Sequence, residues 1–244
     1  MHEQGTWLHF LYAYHILPEW LPEAVPVTWL VIIVLSAVAI LSTRRLERHP
    51  RGLQNVAEMS VSALDSLVRL IFDSPLGSKF TPLIGSFFIF ILAMNLFGLI
   101  PGFMSPTANI NTTVALAITA FVMVQYYAVK EIGVRRYLRH FAGEPLWLAP
   151  LMVPIHLIGE LARPISLSVR LFGNIFGEDM VIAILMIIVT MTMANVLVPV
   201  QFPMMLFAIF TSFIQAMVFS ILVSVYIAVA VTEEHAEGHG GHGD

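Results

Sequence analysis

Two long apolar runs near the C-terminal end constrain the fold more than any other feature of the chain. The first extends from Leu151 to about Val198 and is interrupted only by two prolines and a few polar residues, and the second extends from Phe202 to Val231. Each is longer than the roughly 20 apolar residues that a perpendicular membrane helix needs. Because backbone polar groups in lipid must be satisfied internally, the runs predict two long helices that slant through a membrane.

The composition of the whole chain points to the same class of protein. Apolar residues make up 58% of the 244 residues and charged residues only 11%, against roughly 45–50% and 25% in soluble globular proteins. We therefore expect a single all-α membrane domain over residues 1–244, with about five membrane-embedded helices and one amphipathic surface helix. The chain has no cysteine, which excludes disulfides and thiolate metal sites. The net charge of −4 gives no reason to expect a nucleic-acid partner.

The positions of the basic residues predict the topology. Residues 1–26 contain no Lys or Arg and several aromatic and proline residues, which is typical of an interfacial segment on the outer side. A first span, about Val27 to Thr43, ends at a basic cluster that the positive-inside rule places in the cytoplasm: Arg44, Arg45, Arg48 and Arg51. Further spans at about 80–100 and 113–129 alternate in direction. We expect the N-terminus outside and the C-terminus in the cytoplasm.

Residues 53–79 have a different pattern from the spans. Polar residues share one helical face of this segment and apolar residues such as Leu64 and Val68 take the other. The pattern is typical of an amphipathic helix on the cytoplasmic surface of the membrane, and a half-buried helix packed on other protein gives the same pattern. Neither interpretation makes the segment a membrane span.

Residues 151–232 are predicted to form a hairpin of two tilted helices, because the ANVLVPVQFP segment between the apolar runs contains Asn195, Pro199 and Pro203. Residues 233–244 follow as a tail with three histidines. A weak metal site is one interpretation of the tail, and a flexible, solvated end is the one that its glycine content favours. We expect no cofactor and no resident metal.

A polar stripe runs through the first of the two apolar runs. At 100° per residue, six polar residues fall within about 40° of one helix line, namely His156, Glu160, Arg163, Arg170, Asn174 and Glu178. The first and last of them are separated by about 33 Å along a helix, close to the thickness of the hydrocarbon core. The stripe could therefore form a polar path across the lipid.

Charged side chains inside a membrane are costly, which makes them candidates for function. An arginine at mid-bilayer costs from about 2.5 to more than 10 kcal/mol, and Arg170 lies too deep in its run to reach the interface easily. Two interpretations remain: Arg170 serves an ion path, or it is locked to Glu178 or Glu160 to hold helices together. Arg163 lies nearer the cytoplasmic end of the run. For this residue, a role in an ion path and a side chain that simply extends to the membrane interface are equally consistent with the sequence.

The other polar residues of the hairpin also have two interpretations. Glu178 and the adjacent Asp179 point about 100° apart, so only one of them faces the stripe. Intramembrane carboxylates indicate ion paths, whereas a buried structural pair is the alternative. His156 could relay protons, or it could lie at the membrane interface with the polar end of its ring hydrogen-bonded. Four uncharged residues could line a wet path or hold helices together through hydrogen bonds: Asn174, Gln215, Ser166 and Ser168.

Three segments of the chain resemble subunit a of the F-type ATP synthases. They are RPISLSVRLFGN, which ends at Asn174, NTTVALAITAF, which begins at Asn111, and FTSFIQAMVFSILVSVYIAVAVTEEH, which begins at Phe210. The resemblance covers the chain from about Arg51 to His235. It implies that Arg170 faces the carboxylates of a rotating proteolipid ring, and that Asn174, Gln215 and an acidic residue at Asp179 line two offset half-channels for protons.

Some positions depart from the pattern of that family. Where members with an acidic pair usually have Asp-Glu, this chain has Glu178 followed by Asp179, so the residue that lines the outer half-channel stays open. Ala208 lies near the position at which some members carry a histidine, and His156 replaces a glutamate found in some members. Asn109 stands where an aspartate is common.

The resemblance also implies partners and a location. The chain would be the membrane stator of a rotary ATP synthase in the bacterial plasma membrane, in contact with the proteolipid c-subunit ring and the peripheral-stalk b subunits and coupled indirectly to the catalytic sector. It would make no ATP by itself. The alternative from the residues alone is a self-contained transporter or channel in which Arg170 binds an anion.

Overall fold

The computed structural model describes residues 22–44, 52–72, 75–100, 103–135, 137, 148–192 and 197–237. Six α-helices account for most of these residues: α1 (Ala24–Thr43), α2 (Leu53–Phe72), α3 (Thr81–Phe97), α4 (Ile110–Ile132), α5 (Ala149–Thr192) and α6 (Leu197–Glu237). Short 3-10 helices precede α3 and α4, at Pro75–Lys79 and Pro106–Ala108. The predicted all-α membrane fold is confirmed.

The membrane spans lie close to the predicted segments. Helices α1, α4 and the part of α6 from Phe202 to Ala230 are each long and apolar enough to cross a membrane, and α3 is a shorter apolar helix. Both α1 and α3 have a proline in the first turn, at Pro26 and Pro82. A proline is tolerated there because the first N–H groups of a helix have no partner within it. Helix α1 can therefore begin before the predicted Val27.

The hairpin differs from its prediction at the turn. Helix α6 begins at Leu197, so Pro199 and Pro203 lie within the helix and not in the connecting turn. Pro199 falls in the first turn of α6, where no N–H bond is lost. Residues 193–196, which include Asn195, lie outside the described residues. At about 1.5 Å per residue the 44 residues of α5 and the 41 of α6 are each about 60 Å long or more, so they must tilt steeply or protrude.

Three predictions concern residues that are only partly described. Helix α6 continues to Glu237, five residues into the predicted tail, and residues 238–244 lie outside the described part of the chain. Most of the predicted outer segment, residues 1–21, also lies outside it. Of the cytoplasmic basic cluster, only Arg44 is described.

Helix α2 packs along the bundle by its apolar side. Leu64 and Val68 are buried in the shared core, and α2 contacts α1, α3 and α6. The Thr81 hydroxyl of α3 donates to Asp65 at 2.7 Å, and Arg69 pairs with the other oxygen of the same carboxylate at 2.6 Å. Hydrogen bonds from Thr81 and Arg69 hold the pKa of Asp65 below its usual value. Gln54 is an exception to the predicted polar face, because it is buried and donates to Glu58.

Small residues on α6 determine how closely the bundle packs. Every fourth position of one face is Ala or Ser, and these residues are buried: Ala208, Ser212, Ala216, Ser220 and Ser224. Such a stripe lets neighbouring helices approach closely in a membrane. The face packs extensively on α3, with Phe219 of α6 5.7 Å from Phe87 of α3 between ring centroids. This contact holds α6, the second half of the hairpin, against α3.

The connection between α3 and α4 folds back into the bundle. Its 3-10 helix, Pro106–Ala108, packs against α1, α3, α4 and α5. The Thr107 side chain is fully buried and donates to Asn95 of α3 at 2.7 Å, while its oxygen lies 2.8 Å from the Ser105 hydroxyl. Because these groups satisfy each other, the segment can be buried without unpaired side-chain polar atoms.

Gly98 makes this burial possible and provides a test. A Cβ at Gly98 would lie 2.4 Å from Cβ and 2.8 Å from Cα of Ser105. We expect Gly98→Ala to destabilise the protein by about 1–3 kcal/mol, because backbone must move to relieve the overlap. The measurement is the thermal unfolding midpoint in detergent. Gly159→Ala is the control, since nothing lies within 4 Å of its Cβ position; equal midpoints for both variants would contradict the packing described.

Candidate functional site

The polar stripe lies on one uninterrupted helix. Helix α5 continues through both Pro154 and Pro164. Leu167, Leu171 and Ile175 are buried, whereas Arg170 and Asn174 of the stripe are exposed and its other four members are half-buried. The stripe therefore follows the boundary between the packed face of α5 and its open face. A polar group at this boundary can contact helix α6 on one side and an external surface on the other.

A groove between α5 and α6 holds the C-terminal end of the stripe. Its volume is about 340 Å³. Four of its lining residues are polar, Asn174, Glu178, Thr211 and Gln215, and the others are apolar or glycine: Gly177, Val181, Met204, Phe207 and Ile214. A groove of this size can hold several water molecules, since one water occupies about 30 Å³ in the liquid.

Two hydrogen bonds cross the groove from α5 to α6. The Asn174 side-chain amide donates to Gln215 Oε1 at 2.5 Å, and the Thr211 hydroxyl donates to Glu178 Oε2 at 2.6 Å. The second bond lies one turn further along α5 and one turn back along α6, as expected for antiparallel helices. The pair links the two helices and lines the groove, which is consistent with both interpretations of Asn174 and Gln215.

Gln215 contributes an unused donor to the same groove. Its side chain is only 3% exposed, and its Nε2 has no hydrogen-bond partner among the described residues. A buried amide N–H costs free energy unless it is paired with protein or water. The groove that Gln215 lines offers room for such a water.

The two adjacent carboxylates have different surroundings. Glu178 lines the groove and is bound by Thr211, whereas Asp179 is half-buried and does not line it. The 100° offset between neighbouring residues of a helix accounts for the difference. Thr211 is not among the residues predicted to form the site. A hydroxyl residue one turn before Gln215 in an apolar run is the signal in the sequence that identifies it.

Arg170 has no ion-pair partner in the described part of the chain. It is exposed, and the two glutamates that could have locked it are bound elsewhere: Glu178 by Thr211, and Glu160 by Arg163 and Gln125. The nearest carboxylates along α5 are separated from it by about 12 Å towards Glu178 and about 15 Å towards Glu160. Within the described residues, the interpretation of Arg170 as one half of a helix-locking ion pair is therefore not supported.

A second polar cluster lies at the other end of α5. Glu160 accepts from Gln125 of α4 at 2.8 Å and pairs with Arg163 at 2.6 Å. The Tyr137 hydroxyl donates to the Gln125 side-chain oxygen, and the Arg163 guanidinium lies 5.2 Å from the ring centroid of Tyr226 on α6. Burial, and then the nearby Glu160 carboxylate, raise the pKa of Tyr137.

The remaining residues of the predicted site lie outside both clusters. Ser166 is exposed on the open face of α5, and Ser168 is buried with its hydroxyl donating to the Ile165 carbonyl of its own helix. His156 is half-buried, one turn from Glu160. Asn109 accepts from the backbone N–H of Asn111 and caps α4, and Ala208 is buried. The cap gives Asn109 a structural role that needs no charge.

The fold and the groove define a multi-pass helical membrane protein with polar side chains placed along one long helix pair. Residues 25–228 match the model of a protein family described as ATP synthase A chain. The chain belongs to this family and is a component of the proton-transporting ATP synthase complex.

Several proteins are similar to the chain over most of its length. "ATP synthase subunit a 1" of Syntrophotalea carbinolica is 44% identical over 232 residues, which cover 95% of this chain and 93% of that protein. "ATP synthase subunit a" of Geobacter sulfurreducens is 42% identical over 87% of this chain and 89% of its own length. "ATP synthase subunit a" of Geotalea daltonii is 44% identical over the same shares.

The cluster around Glu160 leads to a prediction about stability. The side chains of Arg163 and Glu160 are 32% and 19% exposed, so solvent weakens their attraction. We expect a coupling free energy of about 1 kcal/mol between them. The measurement is a double-mutant cycle of unfolding free energies in detergent with Arg163→Gln, Glu160→Gln and the double variant. The same cycle on the surface pair Arg69 and Asp65 is the control. Additive effects of the Arg163 and Glu160 substitutions on the unfolding free energy would contradict the ion pair.

Proposed function

We propose that the chain is the stator through which protons reach and leave a rotating proteolipid ring, with Arg170 facing the ring carboxylates. The observation that carries the proposal is the position of Arg170 on α5. It is exposed, has no ion-pair partner among the described residues, and lies between two polar clusters that do not contact it. A cation inside the lipid costs several kcal/mol unless a partner of opposite charge compensates it. A carboxylate supplied by another polypeptide would provide that partner.

The two clusters would serve as the offset half-channels. The groove with Glu178, Asn174 and Gln215 is the outer half-channel, and the cluster around Glu160, with His156 one turn away, opens to the cytoplasm. The exposed Ser166 lies on the same open face as Arg170. Along the helix, Arg170 lies about 6 Å from Asn174 of the groove and about 10 Å from Arg163 of the other cluster. Its permanent positive charge would therefore stand between the two clusters and oppose direct passage of a proton. The proton would have to cross on a moving carrier.

Arg170 would control that carrier by electrostatics. A nearby guanidinium favours the ionised form of a carboxylic acid, so a ring carboxyl approaching Arg170 releases its proton to one half-channel. After the ring carboxyl has passed Arg170, it takes up a proton from the other half-channel. Each elementary charge that crosses gains about 2.3 kcal/mol per 100 mV of membrane potential, which is why several protons are needed for one ATP. The permanent charge of Arg170 also repels protons that would leak past the ring.

The remaining assignments follow from this proposal and from the predicted topology. The chain forms one membrane domain in the bacterial plasma membrane, with the N-terminus outside and the C-terminus in the cytoplasm. Its partners are the c-subunit ring and the peripheral-stalk b subunits, and it acts on the catalytic sector indirectly. An anion-binding transporter is less well supported, because Arg170 does not line the groove between α5 and α6.

The decisive variant is Arg170→Lys. We expect it to abolish coupled ATP synthesis in membrane vesicles, because a compact, strongly hydrated ammonium does not replace a permanently charged planar guanidinium. Assembly, measured as copurification with a small carboxylate-bearing proteolipid, should be unchanged. Arg135→Lys is the matched control, since Arg135 is exposed beyond the end of α4. Near-normal synthesis in Arg170→Lys, or anion transport by the chain reconstituted alone, would refute the proposal.

A further inference from the structure

The Thr211 hydroxyl has more acceptors within reach than it can use. Its oxygen lies 2.6 Å from Glu178 Oε2, 3.0 Å from the Ala208 carbonyl and 3.2 Å from the Phe207 carbonyl. A hydroxyl has one hydrogen to donate and two lone pairs that accept. It can therefore donate to the carboxylate or to its own helix, but not to both at once.

This choice corresponds to the two protonation states of a carboxyl group. An ionised carboxylate only accepts hydrogen bonds, whereas a carboxylic acid also donates one. When Glu178 is ionised, Thr211 donates to it, and the 2.6 Å separation is typical of such a charge-assisted bond. When Glu178 is protonated, the Thr211 hydrogen can rotate to a backbone carbonyl, and the oxygen then accepts from the acid.

We propose that Thr211 is a positioning residue that keeps Glu178 hydrogen-bonded in both protonation states, so that the groove acid can take up and release protons without moving. The inference deepens the proposed function and rests on it. In each cycle the proton binds and leaves at the Glu178 carboxyl. The Thr211 hydroxyl only rotates and keeps its own hydrogen.

No other lining residue of the groove offers this exchange. Glu178 is the one titratable residue among the nine that line it, and the amides of Asn174 and Gln215 are bonded to each other. An amide group must turn over to change from donor to acceptor, whereas a hydroxyl needs only a rotation about one bond. Ala208, one turn before Thr211, has no polar side chain. On α5 itself, the flanking charges are Asp179 and Arg170, and neither lines the groove.

The test compares Thr211→Ser, which keeps a hydroxyl, with Thr211→Val, which keeps the shape. We expect Thr211→Val to lower ATP-driven proton pumping and ATP synthesis by about tenfold, equivalent to ~1.4 kcal/mol. Thr211→Ser should recover most of the activity. Thr119→Val is the matched control, because Thr119 is exposed on α4 and donates only to the Ala115 carbonyl of its own helix.

A second comparison separates this role from a purely structural one. If Thr211 acts through Glu178, the double variant Thr211→Val with Glu178→Gln should be no slower than Glu178→Gln alone. Rates are compared at equal amounts of complex that copurifies with the proteolipid. Should Thr211→Val fail to assemble, Thr211→Ala is put through the same comparison.

Two results would overturn the inference: equal activity of the valine and serine variants, or independent, multiplying losses in the double variant. Both are distinct from failure of the proposed function. That failure would appear as retained synthesis in Arg170→Lys, whereas an inactive Arg170→Lys with a fully active Thr211→Val refutes the role of Thr211 alone.

Discussion

The cost of a permanent positive charge in lipid is the constraint on which the arrangement of α5 and α6 depends. Arg170 cannot lose its charge, and the described residues give it no carboxylate partner. The protein binds each nearby glutamate to something else, Glu160 to Arg163 and Gln125, and Glu178 to Thr211. The guanidinium is thereby left exposed on the open face of α5, where an acid from outside the chain can meet it.

Close packing of the rest of the bundle keeps that face in place. The small residues of α6 allow α3 to approach, and the buried connection at Thr107 joins α3 to the same end of the bundle as the groove. Neither contact carries a charge, so both remain stable in lipid, where small side chains and satisfied hydrogen bonds drive association. The polar side chains of the groove, by contrast, lie at the boundary between α5 and α6.

Most of the fold could be predicted from sequence, because lipid imposes helices on apolar runs and basic residues mark their cytoplasmic ends. The polar stripe on α5 was predictable for the same reason: one unbroken helix fixes which residues share a face. The predicted turn of the hairpin is wrong, because Pro199, which lies in the first turn of α6, looks the same in sequence as a proline in a loop. The sequence shows Thr211 and the small residues of α6, but not their contacts, because these depend on which helix packs beside them.

By itself, the sequence determined that the chain is a helical membrane protein, that Arg170 lies deep in an apolar run, and that Glu178 and Asp179 cannot face the same way. Helix geometry and the cost of charge in lipid suffice for those conclusions. Only the tertiary structure decided that Glu178 is the carboxylate in the groove and that it is bound by Thr211. The partners of a side chain across two helices depend on their register and rotation, and these are set by packing among residues far apart in the chain.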